Sequence, residues 1–126
     1  MKRFVFAVFM LVVFVKAGFS YENVDPKTFA KLMKNPNVFL LDVRTPKEFA
    51  EDGHIKGANL IPVQLFKYIY LEGLRDKPVL VYCRSGNRSA VAAKMLEEMG
   101  VKKVYNLEGG ILAWKAAGLP VEKGWK

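Results

Sequence analysis

The sequence predicts a three-layer α/β domain built on a mostly parallel sheet. Three observations lead there. Continuous apolar runs of strand length, Val38 to Val43 and Pro78 to Tyr82, read as strands covered on both faces. Segments with helix caps and helix stops lie between the strands. The order strand, helix, strand, helix repeats along the chain. In such a sheet, ligands bind beyond the carboxyl ends of the strands.

The elements follow in order. Asp25 and Pro26 read as an N-cap and first helical residue, and Phe29, Leu32 and Met33 then share one helical face. Asn35-Pro36 ends that helix, and "VFLLDV" is the first strand. In "TPKE", Thr45 can cap, Pro46 suits a first turn, and Glu48 sits where a capping box needs it; Gly53 stops this short helix. "NLIPV" reads as a strand cut short by Pro62. "QLFKYIYLEGL" shows neither period cleanly and is assigned to a helix on length. "PVLVY" is the next strand. Val91, Ala92, Met95, Leu96 and Met99 then mark one face of a helix that Gly100 ends. "KKVYNL" is a strand, and "GGILAWKAAGLP" a last helix with Gly118 and Pro120 as stops.

The chain has 126 residues, enough for one domain. Its first twenty are set aside. A basic "MKR", twelve unbroken apolar residues from Phe4 to Val15, and small residues at Gly18 and Ser20 form the layout of a secretory signal peptide, expected to be cut after Ser20. The alternative is a membrane anchor over residues 4–15. Twelve helical residues rise only about 18 Å against a hydrocarbon core of about 30 Å. Residues 21–126 then form the domain, and the expected location is the periplasm or beyond. Of 20 Lys and Arg, three fall in the leader, so 17 face 12 acids and the domain carries about +5. The basic residues are scattered, which argues against nucleic-acid binding and for a mild attraction of small anions. One cysteine excludes an internal disulfide, and one Cys with one His excludes an ordinary zinc site.

That cysteine, Cys83, stands between a strand and a helix in "VLVYCRSGNRSA". A tight curl before a helix turns backbone N–H groups inward, and the helix N-terminus adds partial positive charge. Gly86 and Asn87 best tolerate a left-handed conformation. Arg84 and Arg88 add full charges. Together these favour thiolate over thiol. The bland alternative is a buried structural cysteine. The six residues after Cys83, with two Arg and two Ser among them, are poor core material.

The loop "CRSGNRS" resembles the active-site loop of single-domain rhodaneses, the thiosulfate sulfurtransferases. "LLDVRTPKEFAEDGHIKGANLIP", Leu40 to Pro62, is similar to that family's first signature, and "NLEGGILAWKAAGLPV", Asn106 to Val121, to its carboxy-terminal one. The resemblance implies a rhodanese-like fold, a central sheet of about five strands flanked by helices. It also implies sulfane-sulfur transfer through a Cys83 persulfide, with Arg84, Ser85, Gly86, Asn87, Arg88 and Ser89 binding the substrate. No cofactor or metal is expected. The implied partners are a small anionic donor such as thiosulfate and a thiophilic acceptor, with a transient redox or sulfur-relay protein as a further partner and a monomeric state. Four residues separate Cys83 from Arg88, whereas phosphatases of this fold place five between them. The smaller loop suits sulfur better than a tetrahedral phosphate. A persulfide carrier or protein-binding module is the main alternative; a phosphatase or arsenate reductase is a weaker one.

Asp42, Arg44 and Glu48 are read as architectural, with Arg44 in pairing range of Glu48. His54, in "GHIKGA", is read as a structural or hydrogen-bonding histidine, and Trp114 as core. Phe66, Tyr68, Ile69 and Tyr70 are expected to pack in the core, with a docking or membrane-skimming surface as the lesser alternative.

Overall fold

The structure, a computed structural model, describes residues 21–69 and 72–125. The expected signal peptide, residues 1–20, lies outside these, as do Tyr70 and Leu71. Five strands form one sheet: β1 (Glu22–Val24), β2 (Phe39–Asp42), β3 (Asn59–Leu60), β4 (Val79–Tyr82) and β5 (Val104–Leu107). Their spatial order is β1-β5-β4-β2-β3, and every pairing is parallel. β4 is central and wholly buried. Its four apolar residues alternate between the two faces, as strand geometry requires.

That alternation builds two cores. Leu41, Val43, Val79, Val81 and Val104 face helix α2 (Asn87–Glu98), whose Ala92, Ala93 and Leu96 pack onto them together with Phe66. Leu40, Leu80, Tyr82 and Leu107 face the other way, against Phe29 of helix α1 (Pro26–Leu32) and Ile111 and Trp114 of helix α3 (Gly110–Ala116). Each large apolar side chain removed from water in this way contributes about 1.5–3 kcal/mol. Cys83 continues the odd-numbered series after Val79 and Val81, so its side chain points to the α2 face.

The caps read from the sequence are present. Asp25 accepts from the Thr28 N–H at 2.7 Å, with Pro26 opening α1. Thr45 and Glu48 exchange bonds of 3.1 Å in a capping box ahead of a π-helical turn, Glu48–Asp52. Trp114 is buried, and its indole N–H donates to Pro120 O at 2.8 Å.

Other expectations are corrected. β1 was not anticipated: its three residues are partly exposed and become a strand only through pairing with Tyr105, Asn106 and Leu107. The segment assigned to one helix is two separate 3₁₀ turns, Val63–Tyr68 and Glu72–Leu74. Within it Phe66 is core but Tyr68 is 75% exposed. Val91, assigned to the apolar face of α2, is 58% exposed; Ala93 takes the inward position. The buried positions of the helix are Ser89, Ala92, Ala93 and Leu96, so its inward face is rotated away from Val91. Among the described residues, no helix is long and apolar enough to cross a membrane.

Candidate active site

β4 ends at Tyr82 and α2 begins at Asn87, so only Cys83 to Gly86 make the turn. Gly86 adopts φ +105°, the left-handed region that a side chain disfavours. Asn87 is already helical, so the left-handed freedom read from the sequence is used at Gly86 alone.

Cys83 is 1% exposed and its carbon atoms belong to the α2-side core. Its sulfur is nonetheless surrounded by donors. The Gly86 N–H points at Sγ from 3.0 Å and the buried Ser89 hydroxyl from 3.2 Å. The amides of Ser89 and Ser85 add to these. Burial pushes the Cys83 thiol up, as it does any group that must ionise away from water. The hydrogen bonds from Ser89, Gly86 and Ser85 outweigh burial and leave it below its ordinary value. Charge-assisted bonds of this kind form only with the thiolate at full strength.

The two arginines of the loop differ. Arg88 is half-buried and bound to Glu48 by two parallel bonds, Nη1 to Oε1 at 2.7 Å and Nη2 to Oε2 at 2.8 Å. The Arg88 guanidinium and the backbone N–H of Thr45 hold the Glu48 carboxyl down to about 2. Arg88 also senses the Cys83 thiolate electrostatically. Arg84 is exposed and lines a cavity of about 380 Å³, together with Lys115 and Lys123 and with the acids Glu51 and Asp52. Ser85 and Asn87 are also exposed.

The pairing expected between Arg44 and Glu48 is not formed. Arg44 turns instead to Asp42, two residues back, with Nη2 to Oδ2 at 2.6 Å and Nε to Oδ1 at 2.9 Å. Both side chains are fully buried. Arg44 Nη2 also donates to Gly53 O at 2.7 Å and the guanidinium lies 5.5 Å from the Tyr82 ring centre. Tyr82 Oη in turn accepts from the Ile55 N–H at 3.0 Å. Asp42 and Arg44 therefore tie the ends of β2 and β4 to the "GHI" loop. His54 is buried, stacked on Phe49 at 3.7 Å, with Nδ1 3.0 Å from Phe49 O, and its backbone exchanges two 2.8 Å bonds with Glu122.

One residue near the loop was missed by the sequence reading. Asn106, buried on β5, donates to Asn23 Oδ1 at 3.0 Å and sits 3.4 Å from Gly86 O. Its own Oδ1 is buried without a hydrogen-bond donor. An isolated polar residue in "VYNL" was the available signal. Among the described residues, no cluster of His, Cys, Asp or Glu is arranged for a metal ion.

What this geometry can do is hold one electron-rich sulfur in a ring of donors at the end of a central strand. Comparison with known proteins follows the same line. The rhodanese-like domain profile matches residues 25–117. A sulfurtransferase of Allochromatium vinosum is 42% identical over 100 residues, which cover 79% of this chain and 92% of that protein. The thiosulfate sulfurtransferase GlpE of Vibrio cholerae is 33% identical over 79% of this chain and 93% of its own length. A Synechocystis protein is 41% identical over 80% of this chain, but the match spans only 56% of that longer relative. Among solved structures, the polysulfide-sulfur transferase homodimer of Wolinella succinogenes has a TM-score of 0.70 at 35% identity, covering 90% of this chain and 88% of its own.

Proposed function

This chain belongs to the rhodanese-like domain family, and on that premise we propose that it is a sulfurtransferase working through a persulfide on Cys83. The single observation that supports this best is the ring of Gly86, Ser89 and Ser85 donors around Sγ. A nucleophilic sulfur needs to be a thiolate, and a persulfide needs its negative charge balanced. The same donors serve both.

In the proposed first half-reaction, the Cys83 thiolate attacks the outer sulfur of thiosulfate. A Cys83 S–S bond forms, the thiosulfate S–S bond breaks, and sulfite leaves with the bonding electron pair. In the second, an acceptor nucleophile attacks the terminal sulfur, and the Cys83 thiolate is the leaving group. With cyanide as acceptor the product is thiocyanate. Protons and electrons balance without a redox partner. Arg84 is assigned the role of the exposed cation that meets the donor's sulfonate end. Arg88, its charge shared with Glu48, shapes the loop and lends part of that charge to the sulfur. Ser85, Gly86, Asn87 and Ser89 complete the anion cradle. The names of the Vibrio and Wolinella relatives favour thiosulfate and polysulfide as the donors to try first. We assign residues 21–126 to the domain and residues 1–20 to an export signal.

Intact-mass measurement tests the proposal. Incubation with thiosulfate should add the mass of one sulfur to the wild type and nothing to Cys83→Ser. Thiocyanate formation with cyanide then distinguishes turnover from carriage. Hydrolysis of an aryl phosphate with no mass gain from thiosulfate would replace the sulfur reading by a phosphatase.

A further inference from the structure

Two carbonyls of the cysteine loop point away from the sulfur and end on one helix. The Ile111 N–H donates to Cys83 O at 2.9 Å, and the Leu112 N–H donates to Arg84 O at 3.2 Å. Both amides belong to the first turn of α3, where N–H groups have no partner within their own helix. The approach is so close that position 110 has room only for hydrogen. A Cβ on Gly110 would collide with Arg84 O and lie 2.6 Å from Cys83 O.

A trans peptide carries its N–H opposite its C=O. Fixing the Cys83 and Arg84 carbonyls outward therefore turns the following N–H groups, those of Arg84 and Ser85, inward. The Ser85 amide is one of the donors to Sγ. Gly86 contributes separately: its N–H meets the sulfur at 3.0 Å, and its carbonyl accepts from the Ala90 N–H at 3.1 Å as the first bond of α2. The outer surface of the ring is thus anchored to α3 at two carbonyls, those of Cys83 and Arg84.

We propose that the first turn of α3 positions the sulfur cradle: the Ile111 and Leu112 amides, admitted by the bare Gly110, hold the loop's carbonyls outward so that its N–H groups converge on Cys83 Sγ. These are positioning residues, since none of them touches the sulfur. The proposal deepens the sulfur-transfer reading and rests on it only for its effect on rate.

The test titrates the thiolate by its ultraviolet absorbance against pH, with Cys83→Ser subtracted as blank. It needs no donor, so it stands even if sulfur transfer fails. Gly110→Ala is compared with Gly118→Ala. Gly118 also has positive φ, +79°, but nothing within 4 Å of its Cβ position, so that variant carries backbone strain without the collision. Gly110→Ala should raise the titration midpoint by about one unit, which is about tenfold less thiolate below it. Gly118→Ala should leave the midpoint in place while lowering Tm. Leu112→Pro removes the second amide in a first turn that tolerates proline, and should shift the midpoint in the same direction even if Gly110→Ala does not fold. A folded Gly110→Ala or Leu112→Pro protein with the wild-type midpoint overturns the proposal.

Discussion

Arg88 and Glu48, forty positions apart in sequence, meet through two parallel bonds of 2.7 and 2.8 Å. The last cation of the cysteine loop is therefore anchored to the capping box of another segment. Glu48 performs both tasks at once, accepting from Thr45 and from Arg88.

Removing the Glu48 charge should loosen the loop from outside. Glu48→Gln keeps an acceptor for the cap and loses the ion pair. It should cost about 1 kcal/mol at neutral pH, the scale of a partly exposed pair. The carboxyl is depressed from 4.5 to about 2, so its contribution is present above pH 4.5 and disappears as pH falls through 2. The Tm difference between wild type and Glu48→Gln should narrow over that window. A difference that stays constant down to pH 2 would show that the charge is not what Glu48 supplies.

Ser89 gives the sulfur a side-chain donor, its hydroxyl, at 3.2 Å. Because Cys83 lies below the ordinary thiol value, the rate of persulfide formation should rise with pH to a plateau, with a midpoint below that of a free thiol. Ser89→Ala should move that plateau upward and slow the reaction about tenfold at pH 7. Ser89→Thr, which keeps the hydroxyl, should restore most of the rate. Stopped-flow mixing with thiosulfate across pH checks both.

Arg84 and Arg88 should respond differently to substitution, because only Arg84 is exposed beside the open cavity. Arg84→Met should raise the thiosulfate KM about tenfold, the scale of one charge-assisted bond, with a smaller fall in kcat. Initial rates over a range of thiosulfate concentration, repeated at high salt, give the comparison. Salt should weaken the wild type more than the variant.

The buried pair of Asp42 and Arg44 predicts an asymmetry. Asp42→Asn or Arg44→Met alone leaves a charge buried without its partner and should cost about 3–5 kcal/mol. The double variant Asp42→Leu/Arg44→Met should recover part of that loss. Urea unfolding of the three proteins measures it.

Much of this was legible in the sequence where the signal is local. The alternating strand, the glycine after Cys83, the Asp25 cap and the Thr45–Glu48 box each depend on residues within a few positions of one another. What was not legible depends on distant segments. Glu22 to Val24 carry no strand pattern, and β5 alone makes them one. Arg44 had Glu48 within helical reach, but the chain there is not helical, and Asp42 at two residues' distance offered a bidentate partner. Val91 fits a helical period, yet the rotation of α2 is set by Ala92 and Ala93 against the sheet.

The recessed position of Cys83 limits what can reach it. With 1% of the residue's surface open, Cys83 leaves room for little more than a slender terminus, which is what the proposed attack on the end sulfur of thiosulfate requires. Loading changes the shape: a second sulfur stands about 2 Å beyond the first. On the proposed persulfide route, the empty form would hide its reactive atom and the loaded form would display it to an acceptor.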